Sequence, residues 1–284
     1  MSDYKDLKPK HFVDGTALEF MKDLLLRSDA GMQDGHYDMI GGDINVTART
    51  MTFFMWFYLF YFRVEAHGVE NIPAHGPGLI VSNHAPIFPF DATQIALACL
   101  LEPERPRYVR TIVNRAIADI PFFSTLMYRT GQVIGCDDNV RRIFENNNLV
   151  VVFPTGAEGD MNTIFNKYQV HEFAVGFMEY ALRYSTPVTP TCVTGSEEAA
   201  LTLGKINTNL AGFKHIPITP IFPWLGPLGF IPFPSKFRIY FDPQIDYHTE
   251  HRDHRDDPEK VREIVDHLRD KIQDMLDTAL GRKG

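Results

Sequence analysis

The sequence predicts an α/β fold: a mixed, largely parallel central sheet flanked by helices, with an N-terminal helical extension. Three observations predict it. Short apolar runs recur at 79–83, 107–113, 131–135, 149–153, 187–194 and 236–242. Helix-length segments separate most of them, at 92–101, 121–129, 139–146 and 172–184. A long amphipathic segment, 258–280, follows the last run. Strands separated by helix-sized intervals imply a sheet with helices on both sides.

Taken in order, Thr16-Ala-Leu-Glu19 has the pattern of a capping box, and Leu18, Met21, Leu24 and Leu25 make one apolar helix face ending at Gly31. The Gly-rich stretch from Gly31 to Asp43 reads as a loop or linker. Its Gly41-Gly42-Asp43 lacks the Lys-Ser/Thr of a phosphate loop and carries no nucleotide role. Residues 51–62 are almost wholly apolar, and eight of them are aromatic: Met-Thr-Phe-Phe-Met-Trp-Phe-Tyr-Leu-Phe-Tyr-Phe. As a helix they reach about 18 Å, too short for a bilayer core of about 30 Å. Either this helix is buried against the domain, or it lies in a membrane interface with Trp56 and Tyr58 at headgroup depth. The interfacial reading is adopted, because Trp and Tyr favour a half-wet boundary.

Arg63-Val-Glu-Ala-His67 alternates like an edge strand. Residues 216–234 are Pro- and Gly-rich yet apolar, so this stretch packs on the domain, walls an acyl pocket or touches membrane. Asp257 and Pro258 open the last helix, with Val261, Ile264, Val265, Leu268, Ile272, Met275 and Leu276 on its buried face. Residues 1–62 read as the extension and 63–284 as the domain proper.

At 284 residues with 44% hydrophobic content the chain suits one large domain, and its net charge of -8 argues against a nucleic-acid partner. Arg105, Arg107, Arg110, Arg115, Arg129, Arg141 and Arg142 cluster in one third of the sequence and read mostly as solvated surface. Three cysteines without a CxxC imply a reduced compartment, with neither a disulfide frame nor zinc. The N-terminus has no signal-peptide core, so export is not expected. His248, His251 and His254 read as an exposed helix-start region rather than a metal site, and His171 and His215 as ordinary histidines.

The chemistry concentrates at two strand ends. Leu79-Ile-Val81 delivers Asn83 and His84, and six residues later Asp91 opens a helix-like run. A histidine beside a carboxylate is a general-base layout: the imidazole takes a proton while the carboxylate fixes its tautomer. Asp91 also suits a helix N-cap, and Asn83 either orients His84 or satisfies strand-end backbone. The run Leu149-Val-Val-Val-Phe153 ends in Pro154-Thr155-Gly156-Ala157-Glu158-Gly159. Ligands of open α/β sheets collect at such carboxyl edges.

These blocks resemble, over about residues 60 to 280, the glycerolipid acyltransferases related to 1-acylglycerol-3-phosphate O-acyltransferase. Val81-Ser-Asn-His84 through Asp91 is similar to the family's His/Asp motif, and Tyr128-Arg-Thr-Gly131 through Cys136 to its second block. Val152-Phe-Pro-Thr-Gly156 is similar to the third, and Thr186-Pro-Val-Thr-Pro-Thr191 to the fourth. The resemblance implies transfer of an acyl group from acyl-CoA or acyl-carrier protein to a hydroxyl of a lysophospholipid or other glycerolipid. His84 would be the base, Asp91 its partner, and amides near Gly156 would face the oxyanion. Asn83, Phe153, Pro154, Thr155, Gly156, Glu158 and Arg115 are the candidate substrate-binding residues. No metal and no redox cofactor is expected. The expected place is the cytoplasmic face of a membrane, peripheral or monotopic.

The sequence departs from the family at three points. The His-to-Asp spacing is longer than usual, Thr155 stands where glutamate is usual, and Gly135-Cys136-Asp137 replaces the usual arginine. An acceptor without phosphate (an amino-lipid, glycolipid or alcohol) and a non-catalytic lipid-binding relative are therefore the alternatives.

Overall fold

A computed structural model describes residues 3–31, 36–85, 90–113, 123–155, 162–210, 213–251 and 257–283. The main sheet has seven strands among these residues: β1 (Glu65–His67), β2 (Gly78–Ser82), β3 (Val109–Val113), β4 (Val133–Ile134), β5 (Leu149–Val152), β6 (Val188–Thr194) and β9 (Arg238–Phe241). They lie in the order β1-β9-β6-β2-β5-β3-β4. All neighbours are parallel except β6 and β9. This is the mixed, largely parallel sheet that the strand-helix alternation implied. The edge strand read at 63–67 is β1. A separate antiparallel hairpin, β7 (Gly204–Leu210) with β8 (Phe213–Ile218), was not anticipated.

The central strands are apolar without alternation because both sheet faces are covered. Ile80, Leu149, Val151, Val193 and Ile239 turn to one side, where they meet α1 (Pro9–Val13), α2 (Thr16–Arg27), α3 (Ile44–Trp56) and α4 (Phe90–Leu101). Leu79, Val81, Val150, Val152, Val188 and Cys192 turn to the other. There they meet α6 (Asp137–Glu145), α7 (Gly176–Arg183) and α10 (Pro258–Ala279); α5 (Phe123–Arg129), α8 (Ser196–Ala200) and α9 (Tyr247–Glu250) complete the set. In α10 the Asp257 carboxylate accepts from the Glu259 and Lys260 amides, Pro258 takes the first turn, and the predicted apolar positions are buried, Met275 only partly.

Several local readings are corrected. Thr16 is the first helical residue rather than the cap. Gly15 holds the cap position at φ 86°, and the Thr16 amide donates to Asp14 Oδ1. The helix stops at Arg27, before Gly31. Helix α7 begins at Gly176, four residues later than expected. The aromatic helix begins at Ile44, capped by the Asp43 carboxylate, and finishes as a π-helical turn, Phe57–Tyr61. Its rings divide by side: Phe54, Tyr58 and Phe62 are buried while Phe53 and Trp56 are exposed. Tyr58 is therefore not at headgroup depth; its hydroxyl donates to Glu102, as does that of Tyr4.

Two of the clustered arginines are not surface residues. Arg107 and Arg110 are 1% and 0% exposed. Arg110 donates to Asn148 Oδ1 (2.6 Å), Asp38 Oδ2 (2.8 Å), the Gly131 carbonyl (2.9 Å) and the Ala30 carbonyl (3.2 Å). Arg107 is paired with Asp29 and donates to the carbonyls of Pro73, Gly76 and Asn147. A buried guanidinium needs this full set of acceptors. Gly131, at φ 67°, leaves room for it, since a Cβ there would sit 2.5 Å from Arg110 Nη1. The 31–43 stretch, read as a loop or linker, thus supplies a buried anchor, Asp38.

Candidate active site

The site begins where β2 ends. Backbone pairing with β6 stops at Ser82 and Thr191, and the Asn83 side chain continues it. Its Nδ2 donates to the Val193 carbonyl (3.1 Å) and its Oδ1 accepts from the Val193 amide (2.8 Å). Of the two roles open to Asn83, the structure assigns it that of strand-end partner. His84 follows, partly buried, its ring 4.7 Å from that of Phe153 at the end of β5.

Asp91 lies in the first turn of α4, one residue past its start at Phe90, and is fully buried. Its Oδ2 is 3.1 Å from His84 Nδ1 and accepts from the Ala85 amide at 2.7 Å. The carboxylate faces the histidine segment rather than capping the helix as an N-cap would. Held by an amide and turned to Nδ1, it favours the imidazole tautomer with the proton on Nδ1. Ring orientation is fixed from a second side by Phe153.

Thr155 closes the same recess, which is lined by Asn83, His84, Thr155, Asn162, Tyr168, Gln169, Val170, Glu197 and Leu276. Pro154 is buried, and its carbonyl accepts from the Ala174 amide. Arg115, Gly156 and Glu158 lie outside the described residues, as does His254.

Sequence reasoning missed Glu197. Strand β6 ends beside β2, and Gly195 makes the turn into α8 at φ 92°, where a Cβ would stand 2.1 Å from the Lys236 carbonyl oxygen. That turn puts Glu197, 6% exposed, at the carboxyl edge beside His84. Its Oε1 accepts from Asn162 Nδ2 (2.8 Å) and its Oε2 from the Tyr168 amide (2.8 Å). Burial, above all, raises its pKa to about 7. The signal was present: a second strand end followed by glycine and a carboxylate, the same logic that found His84. Burial also lowers the pKa of His171, whose Nε2 lies 2.8 Å from Asn162 Oδ1, so that histidine stands behind one residue of the recess. Among the described residues no cluster of His, Cys, Asp or Glu could hold a metal ion.

Residues 63–194, which include β1 to β6 and the His84–Asp91 pair, match the family model Acyltransferase. They form a domain of the acyltransferase family. An uncharacterised protein of Mycobacterium tuberculosis is 35% identical over 224 residues, covering 78% of this chain and 63% of that protein. A Mycobacterium leprae protein is 35% identical over 228 residues, covering 79% and 62%. A Bos taurus protein named as a DGAT1/2-independent enzyme synthesizing storage lipids is 24% identical over 221 residues, covering 75% and 59%. The chain thus spans about three fifths of the length of these relatives. Among solved structures, the 1-acyl-sn-glycerophosphate acyltransferase PlsC of Thermotoga maritima aligns with TM-score 0.49 and 16% identity, over 95% of this chain and 84% of that one.

Proposed function

We propose that this protein transfers a fatty acyl group from a thioester, acyl-CoA or acyl-carrier protein, to a hydroxyl of a lysophospholipid or other glycerolipid. The observation that carries this reading is the contact of His84 Nδ1 with the buried Asp91 carboxylate at the carboxyl edge of the sheet. With Nδ1 turned to Asp91, Nε2 takes the proton of the acceptor hydroxyl as its oxygen attacks the thioester carbonyl. The C–O bond forms, the C–S bond breaks, and the imidazolium returns the proton to the departing thiolate. Asp91 stabilises the imidazolium in between. Attack is direct, since neither a Gly-x-Ser-x-Gly elbow nor a cysteine among the lining residues offers a nucleophile.

The acceptor and donor meet at a membrane surface in this reading, on its cytoplasmic face. No helix among the described residues is long and apolar enough to cross a bilayer. Phe53 and Trp56 are exposed on α3, and Trp224, Leu225, Leu228 and Ile231 on the apolar loop. The Tyr61 hydroxyl donates to the Pro232 carbonyl (2.6 Å) and so brings the two segments together. This supports the interfacial role read from the aromatic run.

The test is transfer from labelled acyl-CoA to a panel of lysolipids and alcohols. His84→Ala is expected to lower turnover by about 10²–10⁴-fold with the fold unchanged, the usual contribution of a positioned base. Asp91→Asn is expected to lower it as well, because the amide favours the wrong tautomer. Near wild-type turnover in folded His84→Ala would overturn the assignment.

A further inference from the structure

The recess beside His84 contains a second carboxylate that the mechanism above does not use. Glu197 borders it with Thr155, Asn162 and Tyr168. Its surroundings are built to hold it still. Asn162 Oδ1 faces His171 Nε2 (2.8 Å) and accepts from Asn166 Nδ2 (3.2 Å), while Asn162 Nδ2 donates to the Gln169 carbonyl (3.0 Å) as well as to Glu197. Every hydrogen-bonding position of that amide is in use, so its donor is fixed on the carboxylate. Each Glu197 oxygen accepts one hydrogen bond from these neighbours, and a carboxylate accepts about four in all. Acceptor capacity remains, at the narrow recess that His84 also borders.

The charge of the recess narrows the choice of ligand. Among its described lining residues there is no lysine or arginine, and the Asp91 carboxylate lies behind His84. Asp91 and Glu198 add negative potential at Glu197, which, with burial, raises its pKa. An anionic phosphate close to the reacting hydroxyl would be repelled, whereas a second neutral hydroxyl could donate to Glu197. A buried acceptor left without its donor is unfavourable, which is how such a site discriminates.

We infer that Glu197 is a specificity-determining residue that accepts a hydrogen bond from a second hydroxyl of the acceptor, selecting neutral acceptors with two neighbouring hydroxyls, such as a monoacylglycerol. This rests on the acyl-transfer reading for the position of the first hydroxyl. Glu197 also ties down the 162–171 segment through Tyr168 and Asn162. That segment has other ties independent of it: Val170 N to Gln273 Oε1 (2.8 Å), Gln273 Nε2 to the Tyr168 carbonyl (3.0 Å), and Lys167 to Glu198 (3.2 Å).

The experiment is equilibrium binding of three acceptors to the full chain by titration calorimetry. They are a short-chain 1-monoacylglycerol, a 1-alkanol of matched chain length and the corresponding 1-acylglycerol-3-phosphate, with wild type, Glu197→Gln and Gln273→Ala compared. At pH 8, above the raised pKa of Glu197, wild type is expected to prefer the monoacylglycerol over the alkanol by about 10-fold or more, as a hydrogen bond to a charged acceptor implies. Glu197→Gln should lose that preference, and Gln273→Ala, which loosens the same segment, should keep it. Equal preference in wild type and Glu197→Gln, loss of preference in Gln273→Ala, or tightest wild-type binding of the phosphate would overturn the inference. Turnover on the same panel separates the two readings. Binding ranked as expected without any acyl transfer would sink the enzymatic reading and leave Glu197 as a selectivity residue.

Discussion

At the scale of single residues, buried ionisable groups decide what this protein can do. Glu197 gives a prediction independent of activity. Its pKa rises from an ordinary 4.5 to about 7 on folding, chiefly through burial, with Glu198 and Asp91 as its charged neighbours. Between those values the folded chain holds a proton that the unfolded chain has released. Stability attributable to Glu197 is therefore present below about pH 4.5, falls as pH rises, and is fully lost above about 7. The loss is on the order of 3 kcal/mol. Glu197→Gln should remove that slope, so the denaturant midpoint of wild type relative to the variant should fall between pH 5 and pH 8. Parallel pH profiles of the two proteins would show that burial does not hold the proton. His84 and Asp91 were legible in the sequence because each sits at the boundary of a strongly periodic element. Glu197 was only half legible: the strand end, the glycine and the carboxylate stand in the sequence, but nothing local to Gly195-Ser196-Glu197 reveals that β6 ends beside β2. Arg110 was not legible: an arginine between Val109 and Thr111 reads as the exposed member of an alternating strand, and only the acceptors brought from 30, 38, 131 and 148 make its burial possible.

At the scale of elements, α3 and the turn that follows it are two-sided. Phe54, Met55, Tyr58 and Phe62 are in the core, Phe53 and Trp56 are exposed, and Phe60 is half-buried against Phe12. On the interfacial reading proposed above, replacing Phe53, Trp56 and Phe60 by polar residues should release the protein from liposomes while leaving the thermal midpoint within a few degrees, because the inner face carries the packing. Unchanged co-sedimentation with vesicles would overturn the interfacial reading of this helix. Composition alone could not divide these rings between core and exterior, because aromatic residues at every position blur a 3.6-residue period. The β7–β8 hairpin escaped notice for a related reason. Gly204-Lys-Ile-Asn-Thr-Asn-Leu210 alternates only weakly, and Pro217 within β8 made 216–234 read as loop, whereas proline is tolerated in strands at an edge.

At the scale of the whole molecule, the N-terminal segment shares a core with the sheet and is tied to it by charge. Asp38 and Arg110 are both fully buried as side chains and 2.8 Å apart. Asp38→Ala should therefore destabilise the protein by about 3–5 kcal/mol, because it strands the guanidinium. Asp38→Leu combined with Arg110→Met should recover most of that loss, as apolar replacement of a buried pair commonly does. Chemical denaturation checks both, and a loss under about 1 kcal/mol for Asp38→Ala would mean water reaches the arginine.

The grip of Asn83 on Val193 has a consequence for how this chain can vary. His84 is moored to the sheet beside Asn83, and Asp91 to the first turn of a helix packed on that sheet, so each group takes its position from its own element. Lengthening or shortening the His84–Asp91 connection by a residue should thus disturb the two groups less than a slip of β2 against β6 would, since the slip carries His84 away from its neighbours on both adjacent strands.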